Sequence, residues 1–456
     1  MKKYCPVRTV PKVPKVPKFS LITIILLLTA LTTPAQEIYD LKRILETGLE
    51  QNYDIRIIRN EQQISDNNVT WGNAGFLPAL DANAGYNGSL SNIHQNLADN
   101  SNRSYQNVFN QGANVGLNLS WMAFDGFRMQ TQYERLKEFQ RMGELHTRLA
   151  IENLVSQLTA EYYNYVRQNL RLKNLKYAVS LSKERLRIVE ARYNIGSMSR
   201  LDLQQARVDF NADSSSLIKQ YEVVNTSAIV LNQLMALEDV AQKLPVVDTL
   251  ITANEWLSQP VLWEKTLEAN ARLLLSEKNK MLSNLDLKVI QSRDYPYLRL
   301  NAGYGYTLNV YDTKNSSLNR QNNLGFNYGF TLGYSLFDGM NRTREKKNAN
   351  IAIQNREIEH QRLELSLKAD LAKMWVAYRS NLGLTDLEKE NLKAARDNYE
   401  TAMDRYLLGE LSGIELREAQ NNLLGAEERL LQAQFNTKLC EISLLQISGQ
   451  VLMYLE

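Results

Sequence analysis

Two periodicities divide the chain. From residue 298 to 310 hydrophobic and polar positions alternate strictly: Leu298, Leu300, Ala302, Tyr304, Tyr306, Leu308 and Val310 take one face. Arg299, Asn301, Gly303, Gly305, Thr307 and Asn309 take the other. The segment from Phe326 through Tyr328, Phe330, Leu332 and Tyr334 to Leu336 alternates in the same way with Asn327, Gly329, Thr331, Gly333 and Ser335. Earlier in the chain Leu80, Ala82, Ala84 and Tyr86, then Val115, Leu117, Leu119 and Trp121, repeat the pattern. Period two over about ten residues predicts four strands. A soluble sandwich would bury the Tyr/Leu face; a transmembrane barrel would turn it to lipid. The opposite face is Asn, Gly, Thr and Ser rather than Lys and Glu, which suits a water-filled lumen, so the barrel is preferred. The Asn/Ser-rich segments 88–112 and 311–323 predict long external loops.

The remainder is helical in period. Residues 38–72 and 261–292 predict one helix ahead of each strand pair. After Phe127, Leu154, Leu158, Tyr162, Tyr165, Leu172, Leu175, Val179, Leu186, Val189 and Tyr193 step by threes and fours. This is a coiled-coil-like seam with Asn169 and Ser182 as polar breaks. No proline interrupts residues 126–244 or 297–456, so very long helices are permitted. The first would run about 100 Å at about 1.5 Å per residue. Gly196 and Ser199 predict its end and the N-cap of a returning helix, Leu201 to about Leu237. The second half repeats this from Met340 through Gly409 to Leu445.

The chain also repeats its motifs. Asn83-Ala-Gly-Tyr86 returns as Asn301-Ala-Gly-Tyr304, and Phe124-Asp-Gly126 as Phe337-Asp-Gly339. Arg192-Tyr-Asn-Ile-Gly196 returns as Arg405-Tyr-Leu-Leu-Gly409; Ser199 then matches Ser412 and Asp202 matches Glu415. Three matches in one order at nearly one offset, 213 to 218 residues, mean two copies of a domain-sized unit. The expected organisation is residues 36–244 as the first copy, 245–260 as a connection and 261–456 as the second copy with a tail.

Residues 1–35 carry six basic residues and no acid, then an apolar run from Phe19 to Leu31 and small residues before position 36. That order predicts a secretory signal. Without it the chain has 47 basic and 50 acidic residues, which excludes a strongly basic nucleic-acid binder. One cysteine, Cys440, then remains, with three scattered histidines, His94, His146 and His360. No metal site, cofactor or catalytic constellation is expected.

Four strands cannot close a barrel, and open edges are not tolerated in lipid. The chain must therefore pool strands with other copies. At this point it resembles the TolC-like outer-membrane efflux protein family. The resemblance rests on the tandem repeat, Pro78 and Pro296 before the strands, the two Phe-Asp-Gly motifs and the paired Arg-Tyr-x-x-Gly-x-x-Ser turns. It implies a mixed α and β membrane protein: a homotrimer with a twelve-stranded transmembrane β-barrel, four strands per chain, set in outer-membrane lipid. A long periplasmic α-helical barrel continues it, with segment 238–262 and the C-terminal tail at its equator. It implies partners too, a periplasmic adaptor and an inner-membrane RND or ABC transporter. The expected function is the exit duct of a tripartite pump exporting small molecules. Alternatives are the exit duct of type I protein secretion and a passive, substrate-specific porin, for which helices of about 100 Å have no use.

The resemblance also implies sites. The turns Tyr193, Gly196, Ser199, Leu201 and Tyr406, Gly409, Ser412, Ile414 would form the periplasmic tip that docks the adaptor. Glu415 and Glu418, three apart and so on one helix face, align with an acidic constriction, with Asp202 at a gating position. The basic partner expected for Asp202 is replaced by Leu411, and Arg200 and Arg417 are the nearest substitutes. Glu415 and Glu418 can alternatively be a solvated helix start, where acids favour the dipole.

Overall fold

The computed structural model describes residues 39–245, 248, 250–314 and 316–455. The expected signal segment, 1–35, lies outside them. Helices α1 (Leu41–Gln51) and α2 (Tyr53–Asn67) lead into strands β1 (Ala79–Asn96) and β2 (Asn102–Phe124). Helix α3 (Arg128–Asn194) follows and α4 (Arg200–Leu234) returns beside it. The second copy has α5 (Gln259–Ala269), α6 (Ala271–Gln291), β3 (Tyr297–Val310), β4 (Arg320–Gly333), α7 (Asn341–Leu408) and α8 (Gly413–Ile447). Helices α3 and α7 span 67 and 68 residues, or about 100 Å each.

The helices expected over 38–72 and 261–292 are each broken once, and the breaks share a cause. Asn52 accepts on Oδ1 from the N–H groups of Asp54 and Ile55, at 2.9 and 3.2 Å, capping α2. Its Nδ2 donates to the Leu234 carbonyl at 2.9 Å, capping the last turn of α4. Asn270 does the same: it accepts from Arg272 and Leu273 and donates to Ile447 at 2.8 Å, the end of α8. One buried asparagine thus joins two shorter helices end to end, pairing two orphan N–H groups of one and one orphan carbonyl of the other. The wall is therefore four helices wide throughout: α4, α3, α8 and α7 towards the turns, α2, α3, α6 and α7 towards the strands.

The strands form one antiparallel sheet in chain order, β1-β2-β3-β4. The registers Ala82↔Leu117, Leu117↔Tyr304 and Tyr304↔Phe326 keep the expected apolar positions within the strands on one face, whereas Tyr334 and Leu336 lie past the end of β4. Tyr328 and Phe330 are 82 and 76% exposed there. The polar face interlocks small and amide residues: a Cβ on Gly112 would come within 2.7 Å of Asn87 Oδ1 and 3.2 Å of Asn309 Oδ1. Both outer edges, β1 and β4, are unpaired among the described residues.

The long external loop expected at 88–112 is instead mostly strand. β1 and β2 stay paired to Asn96↔Asn102, past a bulge at Ser91/Ile93, while β3 stops pairing with β2 at Gln111↔Val310. A two-stranded ribbon thus extends about 30 Å beyond the sheet, at about 3.3 Å per residue. The second loop grips its base: Asp312 accepts from Phe109 N–H at 3.1 Å and donates its own N–H to Asn110 Oδ1 at 3.1 Å.

Each Phe-Asp-Gly motif turns strand into helix. Gly126-Phe127 and Gly339-Met340 have φ of 73, 70, 70 and 65°, two left-handed residues in succession. Asp125 accepts from Met129 N–H, and Asp338 from Arg342 N–H, capping α3 and α7. At mid-height the connection between the copies is pinned to the helices. Tyr165 donates to the Leu244 carbonyl at 2.9 Å and Tyr162 to Asp248 at 2.7 Å. Glu441 accepts from Asn254 N–H, Lys438 and the Tyr454 hydroxyl of the tail.

Candidate functional site: the hairpin turns

Both long hairpins turn at one end of the molecule. In the first, Gly196 (φ 80°) donates to the Tyr193 carbonyl at 2.9 Å, and Ser197 to Arg192 at 2.9 Å. In the second, Gly409 (φ 85°) and Glu410 make the matching bonds to Tyr406 and Arg405, at 3.1 and 2.9 Å. Left-handed glycines close a helix this way because they carry no Cβ. Ser199 and Ser412 then cap the returning helices through reciprocal boxes with Asp202 and Glu415.

The boxes place two expected gate residues. Glu415 Oε2 accepts from Ser412 N–H at 2.9 Å and from its hydroxyl at 2.7 Å. These bonds favour the charged form and hold its carboxyl below the ordinary glutamate value. Asp202 Oδ2 accepts from Ser199 N–H and hydroxyl at 3.1 and 2.6 Å. Glu418 lies one turn on, exposed and with no hydrogen bond or ion pair to a described residue. Glu415 and Glu418 border one open groove of about 550 Å³ between α7 and α8, together with Asp397, Arg405 and Leu411.

The eight expected docking residues share this end but not one environment. Leu201 and Ile414 are exposed at 76 and 75%, presenting apolar side chains to solvent. Gly196, Ser199, Gly409 and Ser412 are backbone and capping residues. Tyr193 is 38% exposed, whereas Tyr406 is fully buried. Arg192 lies over the Tyr406 ring, 5.3 Å from its centroid, and donates to the Leu407 carbonyl at 2.8 Å. Burial holds the Tyr406 phenol above the ordinary tyrosine value.

Two ion pairs absent from the sequence expectations join this region. Arg417 on α8 grips Asp213 on α4 in a bidentate pair, both distances 2.7 Å. Arg185 on α3 pairs with buried Asp209 on α4 and reaches the Gly413 carbonyl. Arg417 is held in its charged form by Asp213, so it serves Asp213 and not Asp202. The i,i+4 spacing of Asp209 and Asp213 is visible in the chain, but their partners are 24 and 204 residues away. Among the described residues no helix is long and apolar enough to cross a membrane. Among them too, no His, Cys, Asp and Glu group is placed to hold a metal.

An amphipathic sheet with open edges, standing on a four-helix wall about 100 Å tall, defines a class: a channel subunit whose barrel is completed by other copies. The chain belongs to the outer membrane efflux protein family, whose profile matches residues 44–237 and 262–450. It is 21% identical to the outer membrane protein TolC of Vibrio cholerae over 421 residues, 90% of each chain. The solved Campylobacter jejuni CmeC outer membrane channel aligns at a TM-score of 0.73 with 18% identity, covering 98% of this chain and 94% of that one. CusC, a transmembrane channel, aligns at 0.73 and 18%, covering 97 and 99%. The fold class is thus the trimeric channel, twelve strands from three chains above an α-helical barrel. The protein resides in the outer membrane with its helices in the periplasm.

Proposed function

We propose that this chain is the exit duct of a tripartite efflux assembly that carries small molecules across the outer membrane. The observation that carries the reading is the pairing of an unclosed four-strand sheet with hairpins whose capped turns expose Leu201 and Ile414. Residues 36–244 and 261–456 act as two copies of one unit, joined by 245–260. The turns around Tyr193–Leu201 and Tyr406–Ile414 receive a periplasmic adaptor, which links the duct to an inner-membrane transporter. Exposed leucine and isoleucine side chains at helix ends suit burial by such a partner.

The gate follows from the same geometry. In three copies Glu415 and Glu418 place six carboxylates around one axis, which attracts cations. Glu415 is held by Ser412, so Glu418 is the freer of the two. Asp202 stands beside the adjoining turn and is likewise tied to its serine. The Arg417–Asp213 and Arg185–Asp209 pairs brace α4 against its neighbours while the ring stays closed.

The test is fractionation followed by planar-bilayer recording. The expected result is a detergent-resistant trimer in the outer membrane that is cation-selective and blocked by divalent cations from the periplasmic side. Glu418→Ala should weaken the block more than Glu415→Ala, with the trimer intact. A monodisperse periplasmic monomer, or an unchanged block when Glu415→Ala and Glu418→Ala are combined, would defeat the reading of the duct or of the ring respectively.

A further inference from the structure

The junction between strands and helices holds a feature that the duct reading does not use. Through residues 79–87, 112–122, 299–309 and 321–333 the polar face carries two charged side chains, Asp81 and Arg299. They are not partners. Asp81 shares its row with Gly303, four residues from Arg299, or about 13 Å along the strand. Arg299 pairs across the ladder with Met122 and Thr331, and is exposed. It makes no hydrogen bond or ion pair with a described residue.

Its surroundings are aromatic and basic. Arg299 lines a cavity of about 420 Å³ with Met122, Arg293, Tyr295, Tyr297 and Arg342. The acids there are engaged. Asp338 accepts from Arg342 at 3.2 Å, and Asp125 from Arg128 at 3.2 Å. Each also caps a helix N-terminus. Arg293 is paired with Glu345. Arg342 is further fixed by the carbonyls of Arg293 and Ser335, both at 2.8 Å. Among the described residues the unpaired cation lining the cavity is therefore Arg299, and the capped N-termini of α3 and α7 border the same space. The cavity sits over β3, with this chain's own β2 and β4 on either side.

We propose that this cavity is a lumen site for organic anions that carry an aromatic ring, one site per chain, forming a basic collar where cargo passes from helical duct to barrel. This rests on the channel reading above. The guanidinium fork of Arg299 matches a carboxylate bidentately. The rings of Tyr295 and Tyr297 offer faces for the cargo's own ring.

The probe is benzoate, titrated calorimetrically into the purified trimer in neutral detergent, with empty micelles as the blank. Saturable binding near one per chain is expected, weakening as salt rises. Arg299→Gln should bind at least tenfold more weakly. Arg299→Lys should fall between, because it keeps the charge without the fork. Benzyl alcohol, which has the ring alone, and acetate, which has the charge alone, should each bind far more weakly than benzoate. Equal binding by wild type and Arg299→Gln overturns the site. So does benzyl alcohol or acetate matching benzoate, or an intact wild-type trimer that binds no benzoate. The wild-type comparisons stand even if the Gln variant fails to assemble. Absence of any trimer in the outer membrane would instead count against the duct reading.

Discussion

The two copies of the repeat are built by the same rules and diverge where they meet other parts of the chain. Asn52 and Asn270 splice their helices with the same three hydrogen bonds. Ser199 and Ser412 form the same capping box. Yet Gly126 is packed tight: a Cβ there would overlap the Ser292 carbonyl oxygen and lie 2.9 Å from Tyr295 Cβ. Gly339 meets nothing nearer than Asn341 Nδ2 at 3.6 Å. Tyr193 is half-open, and its counterpart Tyr406 is sealed beneath Arg192. Duplication has preserved what the local backbone needs and relaxed what only the surroundings decide.

The glycines break this comparison most sharply. Alanine at Gly126 adds the left-handed strain of about 1–2 kcal/mol to overpacking of about 1–3 kcal/mol against backbone that cannot yield. Gly126→Ala is expected to abolish trimer assembly or lower its thermal midpoint severely. Gly339→Ala should cost the strain alone, about 1–2 kcal/mol, and still assemble. Equal effects in gel-resolved melting of the trimer would mean that φ alone governs both turns. The tyrosines come next. Tyr406→Ala empties a sealed site and should cost about 3 kcal/mol, whereas Tyr193→Ala should cost under about 1 kcal/mol. The Tyr406 hydroxyl is buried and has no hydrogen-bond partner among the described residues, so Tyr406→Phe should melt no lower than wild type. A large loss in Tyr406→Phe would show that the hydroxyl has a partner in the assembled protein.

What could be read from the chain follows the reach of each interaction. The 67-residue extent of α3 was legible because proline was absent and the seam was regular. Leu154, Leu158, Tyr162 and Tyr165 are indeed buried. The breaks at Asn52 and Asn270 were hidden because neither proline nor glycine marks them, and each asparagine's second partner lies 182 or 177 residues away. The Asn/Ser composition of 88–112 lacks an apolar face and so predicts a loop, whereas its pairing as a ribbon is set by the backbone ladder and by Asp312. At the tip, Ser-x-x-Asp and Ser-x-x-Glu were visible, and Ser199 read correctly as an N-cap. Charge alone does not reveal the serine's hold on each carboxylate, which the capping geometry supplies. Arg185–Asp209 and Arg417–Asp213 depend on helix packing that no spacing announces.

The smallest expected effect separates these two roles of Glu415. Its carboxylate accepts two bonds from Ser412, which hold its titration below the ordinary glutamate value. A carboxyl depressed in the folded state stabilises that state above its unfolded value, and the contribution is lost as pH falls through the folded one. The box should therefore be complete at neutral pH and loosen only below the ordinary carboxylate range. The readout is amide exchange at Glu415 and Leu416, whose N–H groups bond to Ser412 Oγ and Ser412 O at 3.3 and 3.2 Å, corrected for intrinsic rates against Leu423 deep in α8. Wild type should lose protection there on acidification. Glu415→Gln keeps an acceptor for Ser412 but cannot titrate, so its protection should stay flat with pH. The first-copy amides of Asp202 and Leu203 should not respond to the substitution, because the two boxes share no hydrogen bond. A pH step that survives in Glu415→Gln would assign the titration to another acid, with Asp397 and Glu418 bordering the same groove. The ring's charge would then be the property to pursue, since the cap would not be what acid disturbs.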